Sequence, residues 1–190
     1  MPPRPNTWRC PRRPGATVAV FGPGLLGLLM LQVARAAGAT KIIMVGRGQR
    51  LATAGELGST DLVDYEHADP VSAIRAATGG RGADCVFDCS GSPPVVAQAL
   101  RSVRRGGKIA LLGLAGGQTA ELPVDAVTLD ELDVLGVRSS PGAYPAMISL
   151  LAAGVINTDP LTTHQYPLSD VAAAYAMLER REAIRPIVTM

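Results

Sequence analysis

The sequence predicts an α/β protein: a doubly wound, six-stranded parallel sheet followed by a C-terminal appendage. Three observations carry this. Short β-rich apolar runs alternate with helical stretches from Gly15 to about residue 153. The runs lack the in–out alternation of half-exposed strands, which is the pattern of strands covered on both faces. A glycine-rich turn, Gly22-Pro23-Gly24-Leu25-Leu26-Gly27, joins the first run directly to the first helical stretch. Strands separated by helices pair in parallel, because each helix carries the chain back across the sheet.

Element by element, residues 1–14 are rich in proline and arginine, show no period, and are expected to form an irregular tail. Thr17-Val18-Ala19-Val20-Phe21 is the first strand, and a helix from about Leu25 to Ala37 stops at Gly38. Ile42-Ile43-Met44-Val45 is the second strand, residues 49–57 a second helix ended by Gly58, and Asp61-Leu62-Val63-Asp64 a short third strand. Asp69-Pro70 combines an N-cap with a proline at the first helical position and opens a helix to about Ala77. Cys85-Val86-Phe87 is the fourth strand, and Ser92-Pro93 opens the next helix in the same way. Lys108-Ile109-Ala110-Leu111-Leu112 and Leu132-Asp133-Val134-Leu135 are the fifth and sixth strands, followed by a helix from about Tyr144 to Ala153. Beyond Gly154 the unit does not repeat. A polar loop leads to an extended piece from His164 to Tyr166, a helix from about Asp170 to Arg180 and a terminal strand Pro186-Ile187-Val188. The expected organisation is a tail at 1–14, a sheet domain at 15–155 and a C-terminal segment at 156–190.

Composition narrows the function classes. An apolar content of 47% with 18% charged residues describes a globular chain with a substantial core. The net charge is +2, and Arg4, Arg9, Arg12 and Arg13 sit in the tail, so the body is near neutral. That excludes the broad basic face that nucleic acid needs. No apolar run approaches the ~20 residues of a membrane span. Arg12-Arg13 ahead of an apolar stretch, with Ala34-Arg35-Ala36 after it, imitates an export signal, but Gly22, Pro23 and Gly24 interrupt the stretch. Cys10, Cys85 and Cys89 are odd in number and form no CxxC pair, which suits a reducing compartment and makes a cytoplasmic location the expectation.

The glycine turn is the strongest functional signal, because it follows a buried strand and opens a helix. Gly22 permits the tight turn, and Gly24 lets a pyrophosphate approach the backbone. Gly27 lets the helix pack closely on the strands. The free N–H groups at Leu25 and Leu26 then face the phosphates of a dinucleotide, which makes this a Rossmann sheet. Where such a fold binds NAD, an acidic residue near the end of the second strand holds the ribose hydroxyls. This chain has Gly46 and then Arg47, with Arg50 a turn later. Loss of the carboxylate removes repulsion against a 2′-phosphate, and arginine offers it bidentate bonds, so NADP(H) is favoured, with NAD(H) the alternative. Tyr65 is placed to stack on Arg47 or to border the adenine. The plainer reading of Arg47 and Arg50 is as solvated surface charges. Sheet topology adds weaker candidates at the carboxyl ends of later strands: Cys89 and Ser90 near the adenosine, and Gly113, Leu114, Val137, Arg138 and Ser139 nearer the nicotinamide.

At this point the chain resembles a known family. Gly22-Pro23-Gly24-Leu25-Leu26-Gly27, Glu56-Leu57-Gly58-Ser59-Thr60-Asp61 and Gly79-Gly80-Arg81-Gly82-Ala83-Asp84 are similar to the C-terminal half of zinc-containing medium-chain dehydrogenases, the alcohol, sorbitol and threonine dehydrogenases among them. Asp88-Cys89-Ser90-Gly91, Arg105-Gly106-Gly107-Lys108 and Pro160-Leu161-Thr162-Thr163-His164 continue the likeness. Gly46-Arg47 looks like the NADP-preferring members. The resemblance implies hydride transfer between a nicotinamide cofactor and an alcohol or carbonyl substrate. It also implies that residues from about 156 return to a zinc-bearing catalytic domain. Neither that domain nor its ligands is recognisable here, since His67 and His164 pair with no cysteine at ligand spacing. Zinc is therefore expected only in the missing domain, and no residue of this chain is assigned as catalytic or as a metal ligand.

Several other readings compete. A short-chain dehydrogenase would need Tyr-x-x-x-Lys, and neither Lys41 nor Lys108 follows a tyrosine by four. A methyltransferase would want an acid where Gly46 stands. The zinc-free quinone reductase branch stays open, as does a nucleotide-binding module, or a truncated remnant, without turnover of its own. Were the catalytic half absent, an uncovered face would promote association, so a homo-oligomer, a dimer at least, is expected.

Overall fold

Successive residues of a strand point to opposite faces, so an unbroken apolar run needs cover on both. The computed structural model, which describes residues 14–138 and 142–190, meets that need with helices on either side of one sheet. The expected tail and Ser139 lie outside the described residues, Pro14 excepted. The sheet strands are β1 (Ala16–Phe21), β2 (Ala39–Gly46), β3 (Asp61–Asp64), β4 (Ala83–Asp88), β5 (Val103–Leu111) and β6 (Asp133–Gly136). Their spatial order is β3-β2-β1-β4-β5-β6, every pair parallel. This is the doubly wound order, with its reversal between β1 and β4.

The helices are α1 (Leu25–Ala36), α2 (Gly48–Glu56), α3 (Pro70–Ala77), α4 (Pro93–Ser102), α5 (Val124–Leu129), α6 (Tyr144–Ala152) and α7 (Val171–Glu179). Val18, Val20, Ile42 and Met44 pack with Leu28 and Leu31 of α1 and Leu51 of α2. Their neighbours in sequence, Ala19, Phe21, Ile43 and Val45, pack on the other face with Ile74 of α3 and Leu100 of α4. The expected caps behave differently from each other. The Asp69 carboxylate accepts from the Ser72 N–H at 2.8 Å, and that bond holds its carboxyl below the ordinary range. Ser92 makes no side-chain cap bond, contrary to the expected parallel with Asp69; its own N–H donates to the Ser90 hydroxyl.

Two elements differ from expectation. Helix α5 carries the chain from β5 to β6 where none was foreseen; it is short and has no buried residue, so it leaves no amphipathic pattern. Strand β2 begins at Ala39, directly after Gly38, because Ala39 pairs with Ala16 at the start of β1.

The amino edge of the sheet is tied by charge. Asp84 accepts from the Thr17 N–H (2.9 Å), from Arg81 (3.0 and 3.3 Å) and from Arg104 Nε (2.7 Å). The Lys108 ammonium pairs with Asp133 across β5 and β6.

The C-terminal segment holds a further strand–helix–strand unit in its own sheet. Strands β7 (Thr162–Pro167) and β8 (Arg185–Thr189) are parallel, joined through α7. It docks on the α1 and α2 side of the sheet domain: Leu161 and Ile184 are buried in that cluster. Gln32 donates to the Asn157 carbonyl (2.9 Å) and accepts from the Asn157 N–H (2.6 Å). Helix α7 closes in a Schellman pattern, with the Glu182 N–H donating to Met177 O (3.1 Å) and the Arg181 N–H to Leu178 O (3.0 Å). The left-handed residue of that pattern is Arg181, at φ +61°, where glycine is usual.

Candidate functional site

The carboxyl ends of β1, β2, β3 and β4 open into a cleft of about 1280 Å³, at the place where the sheet order reverses. Its floor is the glycine turn. Gly22, at φ +96°, takes the chain out of β1, and its N–H donates to Val45 O at 3.0 Å. Gly27 is required by contact: a Cβ there would lie 2.0 Å from the Gly22 carbonyl oxygen. Gly24 is different. It precedes α1 at φ −79°, a conformation open to any residue, and a Cβ on it would meet no protein atom within 4 Å. Neither backbone strain nor packing among the described residues demands glycine there.

The start of α1 is bare. Gly24 supplies no side-chain cap, and the first turn holds no acidic residue. The N–H groups of Leu25 and Leu26 have no acceptor in the helix, and the helix dipole adds positive potential at the same place.

At the end of β2, Gly46 is fixed by packing: a Cβ would lie 2.2 Å from Pro23 Cγ. Any side chain at 46, a carboxylate included, would require Pro23 or the backbone to shift. Arg47 follows, its guanidinium carbon 5.9 Å from the centre of the Tyr65 ring, which is the stacking expected from sequence. It is also paired with Glu66, which raises its pKa. Arg50 is not a solvated charge. One of its terminal nitrogens donates to the Ala183 carbonyl, and its Nε is buried without an acceptor. Burial and, second, the charge of Arg181 lower its pKa.

On the opposite wall, Cys89 and Ser90 line the cleft. Burial first, and the neighbouring Asp88 second, push the Cys89 thiol up to about 12, so it is inert as a nucleophile. Ser90 is held by Asp88, which accepts from its hydroxyl (2.7 Å) and its N–H (2.9 Å). The structure thus gathers Gly22, Gly24, Gly46, Arg47, Arg50, Tyr65, Cys89 and Ser90 around one cavity. Leu25, Leu26 and Gly27 stand behind the turn; Leu26 is exposed, and Leu25 packs against the core. Gly113, Leu114, Val137 and Arg138 do not line the cavity. Gly113 donates its N–H to Asp88 O (3.0 Å), Val137 donates to Leu111 O (2.9 Å), and Leu114 is 86% exposed.

Sequence reasoning missed Glu66, Asp88 and the whole rim supplied by the C-terminal segment, where Thr163, Arg180, Arg181, Glu182 and Ile184 complete the cleft. Asp88 carried a local signal, an Asp two residues ahead of a Ser at a strand end, the composition of an Asx turn. A second cavity, of about 830 Å³, lies at the amino ends of the strands. Of its cations, Arg81 and Arg104 pair with Asp84, Lys108 with Asp133 and Arg105 with Asp130, while Arg75 donates to the Arg101 and Gly80 carbonyls; open α/β sheets bind ligands at the other end.

A doubly wound parallel sheet with a glycine turn feeding a bare helix start defines the class: an α/β domain of the Rossmann type. Residues 26–153 match the family described as zinc-binding dehydrogenase, and the chain belongs to that family. It is 34% identical to the sorbitol dehydrogenase of Bacillus subtilis (strain 168) over 179 residues, which is 93% of this chain and 51% of that protein. The alcohol dehydrogenase TADH of Thermus sp. ATN1 superposes with a TM-score of 0.88 at 30% identity, covering 94% of this chain and 52% of that one. A zinc-binding dehydrogenase of Sinorhizobium meliloti 1021, solved bound to NADP, superposes with a TM-score of 0.81 at 33% identity, covering 85% and 48%. The chain spans about half the length of these relatives.

Proposed function

We propose that the cleft binds a nicotinamide dinucleotide, NADP(H) in preference to NAD(H). We further propose that the chain is the coenzyme-binding half of an alcohol dehydrogenase-like oxidoreductase. The observation that carries the reading is Gly24: a glycine that neither the backbone nor the packing of the described residues requires, at the mouth of an uncapped helix. A pyrophosphate against Leu25 and Leu26 is a ligand that would fill that place and use its N–H groups. The NADP-bound Sinorhizobium relative supports the cofactor class. Arg47 and Arg50 are then the 2′-phosphate partners, Tyr65 borders the adenine, and Cys89 and Ser90 flank the adenosine. Gly113, Leu114 and Val137 to Ser139 belong to the nicotinamide end.

The bound nicotinamide supplies the hydride chemistry, exchanged with the carbon of an alcohol or carbonyl substrate. This chain's part is to hold and orient the cofactor, and none of its residues is assigned a catalytic role. The family name implies zinc. Among the described residues no three His, Cys, Asp or Glu side chains gather as a metal-holding cluster, so the residues present do not fit the metal and no step is derived through it. Residues 156–190 are proposed to continue into a catalytic module through their exposed side, which carries Tyr175, Ile187 and Val188.

The test is a fluorescence titration of the chain with NADPH and NADH, repeated with Arg47→Ala. NADPH is expected to bind more tightly, and Arg47→Ala to weaken it at least about tenfold while sparing NADH, as loss of a charge-assisted bond to phosphate does. Tighter NADH binding would sink the NADP preference, and no binding of either near-millimolar would sink the site.

Self-association is a second expectation. Strand β6 is an open edge of the sheet, and Leu129, Tyr144, Ile148 and Leu151 nearby in sequence are exposed. We expect a dimer in sedimentation at micromolar concentration, paired through β6 or through the uncovered apolar face. A monomer there would count against it. No helix among the described residues is long and apolar enough to cross a membrane.

A further inference from the structure

The cleft carries one more cation than the carboxylates of its lining, Glu66, Asp69 and Glu182, can offset. Four arginines line it: Arg47, Arg50, Arg180 and Arg181. Arg47 is paired with Glu66, and Arg180 with Glu182 at 2.9 Å. Among the described residues Arg50 and Arg181 have no such partner. Arg50 is held half-buried by one bond to the Ala183 carbonyl, with its Nε buried and lacking an acceptor. The two guanidinium groups sit near enough for the charge of Arg181 to bear on Arg50. An anion shared by two guanidinium groups offsets the repulsion between them.

The position of Arg181 points the same way. It occupies the left-handed place of the α7 Schellman turn, at φ +61°, where glycine closes a helix without strain. The turn uses only its backbone N–H. Nothing in the closing of the helix calls for a guanidinium, yet an arginine stands there, on the wall of the cleft and two residues before Ala183, whose carbonyl accepts from Arg50.

We propose that Arg181 is a further specificity-determining residue, which together with Arg50 binds the phosphate on the adenosine ribose of a 2′-phosphorylated dinucleotide. The proposal rests on the reading of the cleft as an NADP(H) site. It gives the C-terminal segment a part in choosing the cofactor, with Arg47 reaching the phosphate from the end of β2 and Arg181 from beyond α7. Glu66 offsets part of the charge of Arg47, so the Arg50–Arg181 pair shares with Arg47 the discrimination against the unphosphorylated dinucleotide.

The experiment titrates the full chain and its Arg181→Gly, Arg181→Lys and Arg47→Ala variants with NADPH and with NADH. Glycine suits the backbone at 181, so Arg181→Gly is expected to fold with a melting temperature no lower than that of the parent. It should bind NADPH about tenfold more weakly with NADH unchanged, the size expected for one charge-assisted bond to phosphate. Arg181→Lys should recover part of the loss. NADPH affinity unchanged in Arg181→Gly, or NADH weakened equally, overturns the proposal. If Arg47→Ala loses NADPH preference while Arg181→Gly keeps it, the NADP(H) site stands and only the role of Arg181 falls. If the parent chain shows no NADPH preference, both readings fall together.

Discussion

Asp84→Ala is expected to destabilise the fold by about 3 kcal/mol, the cost of removing the shared acceptor of several charge-assisted bonds. This carboxylate stands at the amino edge of the sheet and, among the described residues, joins three pieces of chain. It takes the Thr17 N–H from β1, Arg81 from the loop after α3, and Arg104 from the start of β5. Arg81 and Arg104 reach water and would recover part of their solvation; the Thr17 N–H is buried beneath them and would not. Asp84→Asn keeps an acceptor for Thr17 and should cost roughly half as much. The loss also has a pH signature. Burial alone would raise the Asp84 carboxyl, but bonds from Arg81, Thr17 N–H and Arg104 outweigh it and hold the group well below the usual carboxylate range. The folded protein therefore keeps this group ionised where the unfolded chain has taken up a proton. Its stabilisation is complete above the ordinary aspartate value of about 4 and drains away as pH falls below it. Urea melts of parent and Asp84→Ala should differ most near neutral pH and converge in acid. A gap that stays constant from neutrality into acid would mean that the alanine acts through packing rather than charge.

What the sequence revealed and what it hid divide along one physical line. The doubly wound sheet was legible because each central strand is an unbroken apolar run: Val18 to Phe21 and Ile42 to Val45 are buried on both faces, and no amphipathic strand looks like that. Asp69-Pro70 was legible because a cap is made within three residues. Helix α5 was not, being a turn and a half with no fully buried residue and only Val127 packed on the core. The glycine turn was found, but the reason for Gly46 was not. Its lack of a side chain reflects contact with Pro23 as much as the nature of the ribose site. Arg50 shows the limit most clearly. From its place one turn past Arg47 it reads as a second phosphate ligand or a surface charge, yet its bond runs to Ala183, 133 positions away. No local pattern encodes that contact, nor the neighbouring Arg181, because both depend on how the C-terminal segment folds back over α2. Glu66 escaped for a related reason: a carboxylate beside a tyrosine gives no sign that it will meet an arginine from the previous strand.

Gly24→Val is expected to abolish dinucleotide binding, by about a hundredfold or more, in a chain that still folds. The two glycines of the turn make the test sharp. At Gly27 a Cβ would lie 2.0 Å from the Gly22 carbonyl, so Gly27→Ala forces α1 away from β1 and loses stability along with the site. At Gly24 an added Cβ meets no atom of the described residues within 4 Å, and φ of −79° suits valine. The change there should cost about 1 kcal/mol at most, the difference between glycine and a β-branched residue at an N-cap. Any larger effect must come from something other than the described residues that occupies the space. A bound pyrophosphate is such an occupant: its oxygens must approach the N–H groups of Leu25 and Leu26 across the ground the valine would fill. The loss should therefore strike NADPH and NADH alike, because both carry the pyrophosphate. Arg47→Ala and Arg181→Gly, which act on the ribose phosphate, should strike NADPH alone. Thermal melts beside the titrations separate these cases. If Gly24→Val keeps its affinity for both nucleotides, the space above Gly24 is not where phosphate lies, and glycine at that place has no ligand to explain it. If it loses both while melting close to the parent, the emptiness beside Gly24 is the imprint of the cofactor.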